Sequence, residues 1–154
     1  MTWQGIRGHD ELVQRFRIAA ERGRLAGTFL FVGPAGIGKR SFALQLAQAL
    51  LCETIPEQEL AACGKCASCV QVAAGTHPDI ELVSRPADKA FIPLELLLGD
   101  DEHRLRAGLC YNLSAKPFGG RRKIAIIDDA AVKATLPTDR RDAWVHCSLV
   151  TIQP

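Results

Sequence analysis

The sequence predicts an α/β chain built on a doubly wound parallel sheet around a phosphate loop. Three observations lead there. Apolar strand-like runs alternate with amphipathic helical patterns, a glycine-rich loop follows the first full strand, and a second apolar strand about ninety residues on ends in two carboxylates. At 154 residues, 47% of them apolar, the chain can bury one core and is too short for two full domains. Its 19 basic and 17 acidic residues leave a net charge of +2 and are well mixed, so the overall field gives no argument for nucleic acid. No signal-like segment opens the sequence, and no apolar run approaches the roughly 18 residues of a membrane span. A cytoplasmic protein with no membrane partner is the expectation.

Taken in order, residues 1–10 form an extended entry. From Asp10, the apolar positions Leu12, Val13, Phe16, Ala19 and Ala20 recur at helical spacing with Arg15, Arg17, Glu21 and Arg22 opposite them, which predicts an amphipathic helix ending near Gly23. Thr28–Val32 is apolar almost throughout and reads as a parallel strand covered on both faces. Gly33, four intervening residues, Gly38 and Lys39 follow. This spacing lets small residues turn backbone N–H groups toward a di- or triphosphate while the lysine reaches its outer phosphates. Such loops place a Ser or Thr hydroxyl on Mg²⁺ directly after the lysine. Here that position is Arg40, and the nearest hydroxyl comes one residue late, at Ser41. The helix that follows carries Phe42, Leu44, Leu46, Ala47, Leu50 and Leu51.

From Cys52 to about Gly75 the apolar periodicity fails and cysteines take its place, so the segment reads as an insertion held by something other than a core. Cys63, Cys66 and Cys69 stand three residues apart, and Cys52 at the end of the preceding helix can supply a fourth thiolate for a closed, structural Zn²⁺ site. Unpaired thiols remain the alternative reading, and an iron–sulfur cluster fits less well. Cys110 and Cys147 read as ordinary thiols. Asp79–Ser84 alternates after a His77-Pro78 turn and is a second strand, and 86–93 is loop. Leu105, Leu109 and Leu113 predict a helix between Gly99 and Pro117, and Lys123–Asp129 is a strand. Asp128 and Asp129 at its end are placed to hold Mg²⁺ and orient a water, or else to cap a turn. His77 reads as a turn residue, and Arg121-Arg122-Lys123 as a solvated turn. Beyond Ala131 only His146–Gln153 offers strand character.

Taken together, Gly5-Ile-Arg-Gly-His9, the strand and loop from Phe29, Leu50-Leu-Cys52, the three spaced cysteines, Gly75-Thr-His-Pro-Asp79 and Lys123-Ile-Ala-Ile-Ile-Asp-Asp-Ala130 resemble the bacterial DNA polymerase III clamp-loader subunits of the AAA+ superfamily, the delta-prime and tau/gamma group. The resemblance covers about residues 3–130. It implies an incomplete AAA+ sheet with a zinc-module insertion at 52–75, a phosphate loop comprising Gly33, Gly36, Gly38 and Lys39, a second motif at Asp128 and Asp129, and zinc ligands Cys52, Cys63, Cys66 and Cys69. It further implies a role in DNA replication, with tau/gamma and delta subunits as partners and the sliding clamp and primed DNA engaged through the complex. In that group the tau/gamma type binds and hydrolyses ATP with Mg²⁺, and the delta-prime type is commonly a degenerate partner. Arg40 points to delta-prime, with weak or absent ATPase activity, and an active tau/gamma-like ATPase is the alternative. Residues 131–154 match nothing in the family pattern, so the chain reads as truncated with an atypical tail. In the family sheet the next strand lies between the loop strand and the Asp-Asp strand. Whether Cys147–Gln153 takes its place is left open by the sequence.

Overall fold

The computed structural model describes residues 2–3, 5–119, 121–133 and 144–153. A short hairpin of β1 (Thr2–Trp3) and β2 (Ile6–Arg7) leads into α1 (Asp10–Glu21), then β3 (Thr28–Val32), the glycine loop and α2 (Lys39–Leu51). A 3₁₀ turn (Glu57–Glu59) and α3 (Ala67–Ala74) carry the cysteines. The chain continues through β4 (Ile80–Ser84), α4 (Leu94–Leu98), α5 (Gly108–Ser114), β5 (Lys123–Lys133) and β6 (Trp144–Gln153).

The main sheet has the order β3-β6-β5-β4. Only β4 and β5 are parallel, whereas β6 pairs antiparallel with β3 on one side and β5 on the other, so the sheet is mixed rather than parallel throughout. Val150 sits opposite both Phe29 and Ile126, and it is fully buried. An inserted strand between β3 and β5 satisfies the backbone groups that both strands would otherwise leave open in the middle of the sheet. The late strand foreseen at 146–153 thus takes the central position, reversed in direction. The rest of the atypical tail, 134–143, lies outside the described residues.

One face of the sheet carries the core. Phe29 and Phe31 project beneath α1 and α2, where Phe16 lies 4.8 Å from Phe29 and Phe31 lies 5.4 Å from Phe42, both centroid to centroid in tilted or edge-on contacts. Leu46, Leu50, Ile124, Ile126 and Ile152 complete it. The expectation that β3 is covered on both faces fails. Leu30 and Val32, pointing the other way, are 55% and 60% exposed. On that second face α5 packs over β4 and β5.

The helix expected between Gly99 and Pro117 is shorter than its leucines imply. Leu105 adopts φ 60°, outside the helical region, and the Asp100 carboxylate accepts from the His103 backbone N–H at 2.7 Å, closing a compact turn instead. Gly99 is required there, because a Cβ would meet the His103 carbonyl at 2.6 Å. A short α4, unforeseen in the sequence, precedes the turn.

Candidate functional site

The residues that break the apolar pattern come together first. Cys52 caps the C-terminal end of α2, Cys66 is the N-cap of α3, and Cys69 lies in its first turn. The four sulfurs of Cys52, Cys63, Cys66 and Cys69 all lie within 4.8 Å of one another, with Cys63 and Cys69 at 3.9 Å. A tetrahedral ion with metal–sulfur bonds of about 2.3 Å requires sulfurs roughly 3.8 Å apart, so the cluster is already close to the required size. The backbone supports negative sulfur. N–H groups of Cys63, Lys65, Cys66 and Cys69 donate to Sγ atoms at 3.3–3.4 Å.

Titration follows from those contacts. The Thr54 hydroxyl, with the Lys65 and Cys66 N–H groups, brings the Cys63 thiol down to about 5. Burial, reinforced by the neighbouring thiols, pushes Cys69 up to about 12. At Cys52 burial works upward, but the Thr54 hydroxyl and nearby backbone N–H groups outweigh it and the net direction is down. A cluster in which each lost proton makes the next harder to lose behaves in this way, and a divalent ion relieves it by taking all four as thiolates. The donor set suits Zn²⁺ as a closed structural centre.

Side chains whose roles were not apparent in the sequence lash this module to the sheet. Arg122 grips the Glu57 carboxylate with Nε and Nη2 at 2.9 and 2.6 Å, and Arg121 donates to the carbonyls of Cys52 and Glu53. The solvated basic turn of the sequence reading is therefore an internal clamp. His77 is likewise more than a turn residue. Its Nδ1 accepts the Asp79 N–H at 3.0 Å, which leaves Nε2 to donate to Ser68 Oγ of α3 at 2.9 Å. Burial holds the His77 pKa below its ordinary value. Asp79, almost fully buried, accepts the N–H groups of Phe118 and Gly119 at 2.6 and 2.8 Å, while its carbonyl accepts Ile124 N–H from β5. The Thr-His-Pro-Asp stretch was the available signal; its partners, thirty-nine and forty residues away, were not readable.

The glycine loop lies at the opposite, N-terminal end of α2. Gly36 and Gly38 take φ of 78° and 95°, a conformation glycine adopts without a Cβ penalty, and no side chain caps the N-terminus of α2. Lys39 is folded back, its ammonium donating to the carbonyls of Gly33 and Pro34 at 3.1 and 2.8 Å. Arg40 Nη1 stands 3.9 Å from Asp128 Oδ2. The strand expected to end at Asp129 runs on to Lys133, so Asp128 lies midway along β5, where the register with β6 shifts, rather than at its end. A cleft of about 520 Å³ brings Gly36, Gly38, Lys39, Arg40 and Ser41 together with Asp128 and with Arg85 from beyond β4. The Asp129 side chain lies outside the described residues. Cys110 is a free, exposed thiol. Among the described residues no helix is long and apolar enough to cross a membrane.

Residues 8–134 match the family described as DNA polymerase III, delta subunit. The delta-prime subunit of DNA polymerase III from Pseudomonas aeruginosa is 48% identical over 58 residues, 38% of this chain and 17% of that protein. The gamma/tau subunit from Mycobacterium tuberculosis H37Rv is 30% identical over 128 residues, 83% of this chain and 20% of its own length. The Bacillus subtilis delta-prime subunit is 38% identical over 63 residues, 41% and 18%. The matched stretches thus span about a fifth or less of these relatives. With most of its length covered by that one match, the chain belongs to the DNA polymerase III delta-subunit family, among the clamp-loader proteins that include delta-prime.

Proposed function

We propose that this chain serves a bacterial DNA polymerase III clamp loader as a delta-prime-like subunit, contributing structure to the assembly more than ATP turnover. The observation that carries the reading is Arg40. It stands where an active phosphate loop has its Mg²⁺-binding hydroxyl, and its guanidinium faces Asp128, the carboxylate expected to help hold the ion. Lys39 supports the same reading, since its ammonium is taken up by two loop carbonyls. Gly33, Gly36, Gly38, Lys39 and Ser41 then form an inherited nucleotide site within a nucleotide-binding-like unit of residues 1–130, and Cys52, Cys63, Cys66 and Cys69 hold a structural Zn²⁺ that shapes the 52–75 module. Tau/gamma and delta subunits are the partners, and the sliding clamp and primed DNA are reached through the complex.

The second reading is a tau/gamma-like ATPase, favoured by the long match to a gamma/tau subunit. Measuring phosphate release from Mg²⁺-ATP separates the two. A delta-prime-like chain gives no turnover above a Lys39→Ala control, and Lys39-dependent steady-state hydrolysis refutes the proposal.

A further inference from the structure

We infer that the phosphate-loop cleft takes the polyphosphate of a nucleotide without a divalent metal ion, with Arg40 as the resident counter-cation. This deepens the nucleotide-site reading above and rests on it. In active loops Mg²⁺ is held between a hydroxyl and a strand-end carboxylate, and it neutralises the β- and γ-phosphate oxygens. Here both holding points are altered by one residue. Arg40 removes the hydroxyl, and its Nη1 stands 3.9 Å from the Asp128 carboxylate. The Asp128 side chain is 20% exposed and that of Arg40 is 51% exposed, so the guanidinium reaches into the cleft from its open side. Among the described residues the cleft is lined by the cations Lys39 and Arg40, with Arg85 beside them, and by the Asp128 carboxylate. Such a lining attracts a polyphosphate and repels Mg²⁺, and a guanidinium fork binds phosphate oxygens in pairs.

A second observation indicates what the phosphates are attached to. An apolar cleft of about 620 Å³, lined by Ile6, Leu12, Val32 and Ile37 among others, meets the cationic one at Gly38, Lys39 and Ser41. Its size is ordinary for a small-molecule site. A ligand with a flat apolar ring at one end and two or three phosphates at the other spans both clefts, which describes a nucleoside di- or triphosphate. On binding, the Lys39 ammonium exchanges the Gly33 and Pro34 carbonyls for phosphate oxygens, so its hydrogen bonds are replaced rather than lost.

The test is calorimetric titration of the zinc-loaded chain with ATP in chelator-free buffer stripped of Mg²⁺ and again with excess Mg²⁺, with the zinc content and folding of each variant checked, the latter by circular dichroism. Binding without Mg²⁺ at least as tight as with it is expected. Arg40→Gln should weaken the Mg²⁺-free binding about tenfold or more, as loss of a charge-assisted contact implies, and Arg40→Lys, which keeps the charge but loses the fork, should fall between Arg40→Gln and the parent. Arg40→Thr should make binding prefer Mg²⁺. Binding that requires Mg²⁺ in the unaltered chain, indifference to Arg40→Gln, or no ATP binding in either buffer overturns the inference. Inorganic pyrophosphate binding as tightly as ATP overturns the nucleotide assignment. A chain that enters a loader assembly yet binds no ATP in Mg²⁺-free buffer with its zinc in place refutes this inference and leaves the subunit reading standing.

Discussion

Removing the Asp79 carboxylate tests how the cysteine module is tied to the sheet. Asp79 is 1% exposed and holds the Phe118 and Gly119 N–H groups at 2.6 and 2.8 Å; the neighbouring His77 links it to Ser68 of α3, and its carbonyl holds Ile124 of β5. Asp79→Ala leaves two donors without an acceptor. Each such loss costs about 1–3 kcal/mol, and because Phe118 and Gly119 are exposed enough for water to replace part of the contact, the lower half of the range applies, giving about 2–4 kcal/mol in all. For a domain of this size that is a fall in melting temperature of roughly 4–16 °C. Asp79→Asn keeps the volume and one acceptor oxygen, so its loss should be about half as large. Urea and thermal unfolding of the zinc-loaded chain, followed by circular dichroism, measure both. An Asp79→Ala chain within about 0.5 kcal/mol of the parent refutes the role assigned to this carboxylate.

Metal analysis should find one Zn²⁺ per chain, and Cys66→Ser should lose it; a well-folded metal-free preparation would contradict the assignment. The His77 pKa lies below its ordinary 6.5 in the folded chain, so folding disfavours its protonation. Stability is complete above about pH 6.5, falls as the pH drops below that, and levels off beneath the lowered folded value. The parent minus His77→Asn difference in stability should show this window, and a pH-independent difference would exclude it. Val150→Pro removes a ladder donor from the middle strand and should abolish cooperative unfolding, as read by calorimetry. An unchanged melting transition would mean that β6 does not hold the centre of the sheet.

Local features were legible because their causes are local. The apolar period of α1, the strand-loop-helix passage from Thr28 to Leu51 and the three spaced cysteines each depend on neighbours a few residues away. Long-range contacts were not. Nothing in His146–Gln153 specifies that it enters between β3 and β5, since pairing is settled by the two open edges that those strands present. Arg122 reads as a surface cation until Glu57, sixty-five residues earlier, is folded against it. Leu105 kept the helical spacing in sequence, but the Asp100 to His103 turn takes the backbone elsewhere, and Leu105 ends 64% exposed. The parallel sheet foreseen from the strand and helix alternation was overturned by β6, the one strand of the main sheet that follows another strand with no helix between them among the described residues.

The central claim is membership of a loader assembly. Native mass spectrometry of this chain co-expressed with a gamma/tau and a delta subunit tests it directly. A stoichiometric complex that contains the chain and persists when Lys39 is changed to Ala is expected. A chain that stays alone, with gamma/tau and delta assembled without it, would rule out a subunit role.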